Sequence, residues 1–126
     1  MFNHFLIPKS VLEGNGASPA LALGEAAGEI LQVTLVIDTI VEQQSLEVHI
    51  QGSLDGETWL EKPLAAFPQK FYIGSSVLMC DLAAHPDLRF IRASWKANRW
   101  GRGVLKPRFG VYLFAEAVAS VALDSK

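Results

Sequence analysis

Two runs of alternating apolar residues constrain the fold of this chain more than any other feature. They lie in residues 31–38, LQVTLVID, and in residues 46–52, LEVHIQG. Successive side chains of a β-strand point to opposite faces of a sheet, so this alternation is typical of strands with one buried face. The positions expected in the core are Leu31, Val33, Leu35 and Ile37 in the first run and Leu46, Val48 and Ile50 in the second.

Shorter apolar runs between turn residues predict the other strands. These runs are Phe5–Leu12, Ala20–Leu23, Trp59–Lys62, Val77–Leu82, Leu88–Ala97 and Arg108–Val118, the last with Phe109, Val111 and Leu113 on one face. Pro8 cannot donate to a ladder, which limits the first run to an edge strand or an arm. Both faces of Leu88–Ala97 mix apolar and basic residues, so alternation alone does not identify its buried face. We predict an all-β chain that forms a single antiparallel β-sandwich, jelly-roll-like, with about seven to nine strands.

The length of the chain predicts one domain. It has 126 residues, half of them hydrophobic and 19% charged, as expected of a globular chain with one core. We expect an N-terminal arm or edge strand at residues 1–10, the sandwich at 11–118 and a C-terminal tail at 119–126. The segment Met1–Pro8 and the alanine-rich tail are apolar, and our hypothesis is that these chain ends reach onto neighbouring copies, because exposed apolar surface favours association.

Neither end of the sequence predicts export or membrane insertion. The N-terminus lacks the basic start and apolar run of a signal peptide. The longest apolar stretch, Val111–Leu123, is shorter than a membrane helix requires. We therefore expect a soluble protein without a membrane partner.

No arrangement of residues in the sequence predicts a chemical reaction. The three histidines lie far apart, without a metal-ligand spacing, and no nucleophile motif is present. Asp55 and Glu57 flank Gly56, and turn formation explains them better than a pair of catalytic carboxylates. Cys80 lies among apolar residues and is expected to be buried and inert. We predict no catalytic residue, no metal site and no cofactor.

The stretch SLDGETW, residues 53–59, interrupts the second alternating strand with a polar turn and then a tryptophan. Asp55-Gly56 is a typical turn pair, and the simplest interpretation is a hairpin whose return strand begins at Trp59. Trp59 would then be a core anchor, and its replacement by alanine would cost about 3–5 kcal/mol. Trp95 is expected in the core as well. The alternative is that Trp59 is exposed and stacks on a ligand.

Basic residues cluster near the C-terminal end, and no Asp or Glu lies between Arg89 and Arg108. Their loop supplies the candidate contact residues Arg99, Trp100, Arg102 and Lys106. Acidic residues dominate the first half, which favours head-to-tail contact between subunits. The run is also consistent with a solvated surface, or with a nucleic-acid contact in which basic groups bind phosphates and Trp100 stacks on bases. A carbohydrate site that uses Trp59 and Trp100 is a further alternative.

Two motifs give the chain a resemblance to a known group, over roughly residues 11–118. It resembles small β-sandwich proteins encoded among the structural genes of bacteriophages and prophages. The matching residues are Leu46, Val48, Ile50, Ser53, Asp55, Gly56 and Trp59 in the first motif and Arg89, Phe90, Ile91, Arg92 and Trp95 in the second. The serine-x-aspartate-glycine turn is also similar to that of discoidin-like and other carbohydrate-binding sandwiches. The loop NRWGRG departs from the short link expected in the phage group.

The resemblance implies a non-enzymatic structural role as a capsid, decoration, neck or tail component. The implied partners are further copies of the chain, in a homo-oligomer, and other virion or assembly proteins. The implied location is the virion or the cytoplasm of the producing cell. The alternative function is a carbohydrate-binding module, and the third is a nucleic-acid contact through the basic loop.

Overall fold

A computed structural model describes residues 2–40, 44–99 and 107–118. Nine β-strands and two short 3₁₀ turns lie within these ranges. The strands are β1 (Asn3–Leu12), β2 (Gly16–Ala17), β3 (Leu21–Ala22), β4 (Ile30–Thr39), β5 (Gln44–Ser53), β6 (Ala65–Ala66), β7 (Gly74–Asp81), β8 (Phe90–Arg99) and β9 (Phe109–Val118). The turns are Gly24–Ala26 and Leu82–Ala84. No helix in the described ranges is long and apolar enough to cross a membrane.

The strands form two antiparallel sheets that pack as a jelly roll. The first sheet has the order β1-β9-β4-β7, and the second has the order β2-β8-β5-β6, with β3 also paired to β8. The chain alternates between layers, since β4 and β5 lie in opposite sheets and so do β8 and β9. This interleaving of two Greek keys is the jelly-roll topology. The predicted fold class, an antiparallel all-β sandwich, is confirmed.

The core lies between the two sheets and is built from the predicted alternating positions. All seven expected core residues of β4 and β5 are buried, and so are Phe109, Val111 and Leu113 in β9. In β8, whose faces the sequence did not distinguish, Ile91 and Ala93 are buried, which turns Arg92 outward. Cys80 is buried as predicted, and burial raises the pKa of its thiol to about 11. The thiol is therefore protonated and unreactive at neutral pH.

The N-terminal segment belongs to its own sheet. β1 pairs with β9, and its register shifts twice around Pro8, between Phe5 and Ile7 and between Ile7 and Ser10. Phe2, Leu6 and Ile7 are buried in the core of the same chain. The expectation that Met1–Pro8 reaches onto a neighbour is wrong for these side chains, because their apolar surface is covered intramolecularly. The domain boundaries at residues 10 and 118 stay predictions, and the tail at 119–126 lies outside the described residues.

The expected return strand Trp59–Lys62 does not form. Trp59 makes one isolated bridge to Ser53, and within the segment between Trp59 and β7 only Ala65–Ala66 forms a regular strand with β5. The segment after Trp59 instead sends separate amides to β5: Leu60 to Gly52, Leu64 to Ile50, Phe67 to Val48 and Lys70 to Leu46. Pro63 and Pro68 lie between these donors and cannot donate themselves, so a continuous ladder is interrupted.

Candidate functional site

The turn after β5 is held by Ser53 and Asp55. The buried Ser53 hydroxyl donates to the carbonyl of Thr58 (2.6 Å) and accepts the amide of Gly56 (2.8 Å). One Asp55 carboxylate oxygen accepts the amides of Glu57 and Thr58, both at 2.8 Å. These backbone donors lower the pKa of Asp55 below its ordinary value. Gly56 has a φ of +83°, which favours glycine. Asp55 therefore serves the turn, as the sequence predicts, and not a carboxylate pair with Glu57.

Trp59 is not a core anchor, and that prediction is wrong. Its side chain is only half-buried, and it lies beside the outward-facing side chain of Arg92. The guanidinium carbon of Arg92 lies 4.4 Å from the centre of the ring, while Arg92 Nε donates to Gln51 Oε1 at 2.7 Å. The chain fails to re-enter the sheet as a strand after the turn, so the indole stays at the surface. One face of Trp59 is thus occupied by Arg92, which leaves less room for a ligand to stack.

Trp95 lies opposite Gly16, where β2 pairs with β8. It is half-buried and packs against the core, which agrees in part with the core prediction. A Cβ atom at Gly16 would come within 2.8 Å of Cζ2 of Trp95, so this close approach of strand and indole requires glycine. The sequence analysis gave no role to Gly16, because its pairing with Trp95 depends on the long-range register of β2 and β8.

A polar groove of about 270 Å³ runs along the outer face of the second sheet. Its base consists of outward side chains of β5 and β8 that lie opposite each other, and Asn15, Gly16, Ala17 and Trp95 complete its wall. The opposed pairs are Glu47–Lys96, His49–Ser94 and Gln51–Arg92. The groove offers carboxylate, imidazole, amide and guanidinium groups in one row. Within the described part of the chain, no three His, Cys, Asp or Glu side chains are grouped as metal ligands.

The outer face of the first sheet carries several large apolar side chains. One cross-strand row runs Phe5–Phe114–Thr34–Val77 through all four strands. The ring of Phe5 packs 4.9 Å from Phe114 and 5.8 Å from Tyr112 between centroids. We call the set Phe5, Tyr112, Phe114, Val77 and Met79 the outer apolar face.

Three members of the outer apolar face are largely open to solvent. Phe5 is 52% exposed, Val77 59% and Met79 53%. The sequence alone does not indicate this surface, because its residues come from three separate strands. The alternating signal in β9 did place Tyr112 and Phe114 away from the core, and that was the available indication.

The candidate contact loop is described only at its two ends. Trp100, Arg102 and Lys106 lie outside the described residues, and Arg99 is the last residue of β8. Arg99 pairs with Gln44 across the ladder, and the buried Gln44 side chain bonds the amide and carbonyl of Arg108, both at 2.6 Å. Gln44 thus fixes both ends of the basic loop at the start of β5. The Arg108 guanidinium also lies 3.9 Å from the Glu13 carboxylate.

Comparison with known proteins shows similarity at the level of fold. No family model and no curated protein matches the sequence. The structure is similar to a chain of infectious bursal disease virus, Gx strain, with a TM-score of 0.58 and 10% identity over 90% of this chain and 32% of the viral chain. A chain of the Gt strain overlaps with a TM-score of 0.43 and 14% identity over 92% of this chain and 30% of the other. This chain thus spans about a third of the length of the viral chains that it matches.

Proposed function

We propose that this protein is a non-enzymatic structural subunit of a virion, of the capsid, decoration, neck or tail type, that works through contacts between subunits. The observation behind the proposal is the outer apolar face. Soluble monomers rarely expose contiguous apolar surface, and a larger patch usually marks a binding surface for protein or membrane. Here the patch draws on three strands of one sheet, β1, β9 and β7, with Thr34 of β4 between them, and the face of a sheet has the flat shape of a protein–protein contact.

Two further observations support a structural role. The jelly roll is a common architecture of viral capsid domains, although lectins and cupins share it, and the fold is similar to that of a viral chain. The phage-like motifs of the sequence point the same way. The Asp55 carboxylate, whose pKa is lowered by backbone amides, is used by a turn, so the formation of the turn accounts for its shifted pKa without a catalytic role.

The polar groove favours carbohydrate as a second candidate ligand. Sugars are bound by planar polar side chains, and His49 and Gln51 supply these along one open groove. Of the two tryptophans predicted for such a site, Trp59 has one ring face beside the guanidinium of Arg92, 4.4 Å from the ring centre, and Trp100 lies outside the described residues. The nucleic-acid alternative stays a prediction for the loop residues Arg102 and Lys106.

The test of the structural proposal is the mass of the native protein across a range of concentrations, measured by light scattering. We expect the wild-type mass to rise with concentration into a defined oligomer or particle. Phe5→Ser should weaken this association, because it removes the half-exposed ring at the β1 end of the outer apolar face. Leu54→Ser is the matched control, since Leu54 is 56% exposed but lies in the turn after β5. A wild-type protein that stays monomeric at every concentration would contradict the proposal.

A further inference from the structure

The last strand of the first sheet, β7, has an open edge. Within the described residues it pairs only with β4, so half of its backbone groups point away from the sheet. The Leu82 amide donates to the Glu29 carbonyl just beyond the ladder. Because hydrogen-bonded and non-hydrogen-bonded pairs alternate along an antiparallel ladder, this bond sets the phase of the whole strand. Ser76, Leu78 and Cys80 bond to β4, and Ser75, Val77, Met79 and Asp81 direct their amides and carbonyls to the open edge.

This edge lacks the features that usually prevent strand addition. Proteins usually protect exposed edges against pairing with another chain by means of proline, lysine, bulges or short strands. β7 is eight residues long, GSSVLMCD, and contains no proline and no basic residue. Its ladder to β4 runs without a register shift. The outward side chains Val77 and Met79 are apolar and more than half exposed.

We infer that β7 pairs with β7 of a second copy, antiparallel and about a two-fold axis, so that the two four-stranded sheets become one. This inference rests on the proposed function and names the partner of the first sheet. A two-fold interface must be complementary to itself, and the sequence of β7 meets this condition in one register, centred on Leu78.

In that register all four open-edge residues find partners. Val77 lies opposite Met79 of the copy, and Ser75 lies opposite Asp81 of the copy, so each pair can exchange its free backbone hydrogen bonds. Apolar then meets apolar, and a hydroxyl donor meets a carboxylate. A register shifted by one residue toward the C-terminus would instead place Asp81 against Val77. The joined sheets would also extend the outer apolar face without a break.

Amide exchange measured by NMR at low and high protein concentration tests the pairing directly. The amides of Ser75, Val77, Met79 and Asp81 should exchange fast in dilute protein and slowly in concentrated protein. Those of Ser76, Leu78 and Cys80 should be slow at both concentrations, because they bond to β4. Contact through the outer apolar face alone would leave the open-edge amides fast.

A charge placed on the edge should break the pair. Val77→Lys sets two ammonium groups close to the two-fold axis, and we expect the dimer dissociation constant to rise by about tenfold or more. Met79→Lys should act in the same direction. Val11→Lys is the matched control, since Val11 is 51% exposed on β1, the opposite edge of the sheet. Thermal unfolding of each variant verifies that the monomer is folded.

The outcomes separate this inference from the proposed function. Wild-type association with fast open-edge amides, and with Val77→Lys unchanged, overturns the β7 pairing and leaves the structural proposal standing. Protected open-edge amides in a protein whose mass never exceeds two copies support the pairing and count against a particle. A wild-type protein that never associates overturns both.

Discussion

The two edges of the first sheet are built in opposite ways. β1 contains Pro8 and Lys9 and shifts its register twice against β9, so a further strand could not continue its ladder. β7 has eight regular residues, and its only charge, Asp81, stands at the end. Both edges belong to one sheet and share the central strands β4 and β9. We interpret the difference as one in what each edge faces, in line with the pairing of β7 inferred above.

The second sheet follows the pattern of β1. Its edge strands β2, β3 and β6 have two residues each. Pro19 separates β2 from β3, and Pro63 and Pro68 flank β6. Short strands and prolines are the usual protection of an edge that faces water. Among the described edge strands, β7 alone is long and without proline, which is what we expect of an edge that a partner covers.

Among the changes that test this comparison of edges, we expect proline substitutions at neighbouring positions of β7 to change the free energy of unfolding most. Leu78→Pro should destabilise the fold by about 2–4 kcal/mol, because it removes a ladder bond to β4 and part of a packed side chain. Val77→Pro removes only an open-edge amide and should cost about 1 kcal/mol or less. Urea unfolding in dilute protein measures both free energies.

Comparing the free energies of unfolding of the two proline variants shows which amides of β7 bond to β4. Equal losses of stability would mean that the amides of Val77 and Leu78 are not divided between the open edge and β4. The amides of β7 would then not be free along the edge that faces away from β4. Val77→Pro should also abolish pairing with a second copy, while Val77→Ala, which keeps the amide, should retain most of it.

Replacing Trp59 tests how the irregular segment at the β6 edge is held, and we expect a smaller change in the free energy of unfolding. The turn that ends at Trp59 directs the chain into the irregular segment beside β5. Trp59→Ala should cost about 1–2 kcal/mol, since the ring is half-buried and stacked under Arg92. A core tryptophan would cost about 3–5 kcal/mol. The free energy of unfolding distinguishes the two ranges, and Leu54→Ala, in the same turn, is the control with an exposed side chain.

Much of the fold could be predicted from local patterns. The alternation in β4, β5 and β9 identified both the strands and their buried faces, because period two is a property of the strand itself. It failed in β8, where Ile91 and Ala93 face the core between Arg89, Arg92 and Lys96. Which face of such a strand is buried depends on its neighbours, and the sequence does not state them.

The candidate surfaces were harder to predict, because they depend on pairing between distant residues. The outer apolar face joins Phe5, Phe114 and Val77, which only the sheet order brings together. The sequence VLMC indicates a strand, but not that its other edge is open. Trp59 was misplaced for a related reason: the turn was recognised, but whether the chain after it pairs with β5 depends on long-range contacts that a local pattern does not show.

The smallest expected effect concerns the charge on Asp55, which holds the turn before the β6 edge. Backbone amides lower its pKa below the ordinary value of 3.8, so the carboxylate stabilises the fold at pH above the unfolded pKa. This contribution is lost as the pH falls through the lower, folded pKa. The unfolding midpoint in urea of Asp55→Asn should therefore lie below wild type at pH 7, and the gap should close below about pH 4. Glu57→Gln removes the same charge two residues away and is the control. If the difference in unfolding midpoint between Asp55→Asn and wild type persists at pH 2, the turn depends on the shape of the side chain and not on its charge. The protection of this edge would then be independent of pH.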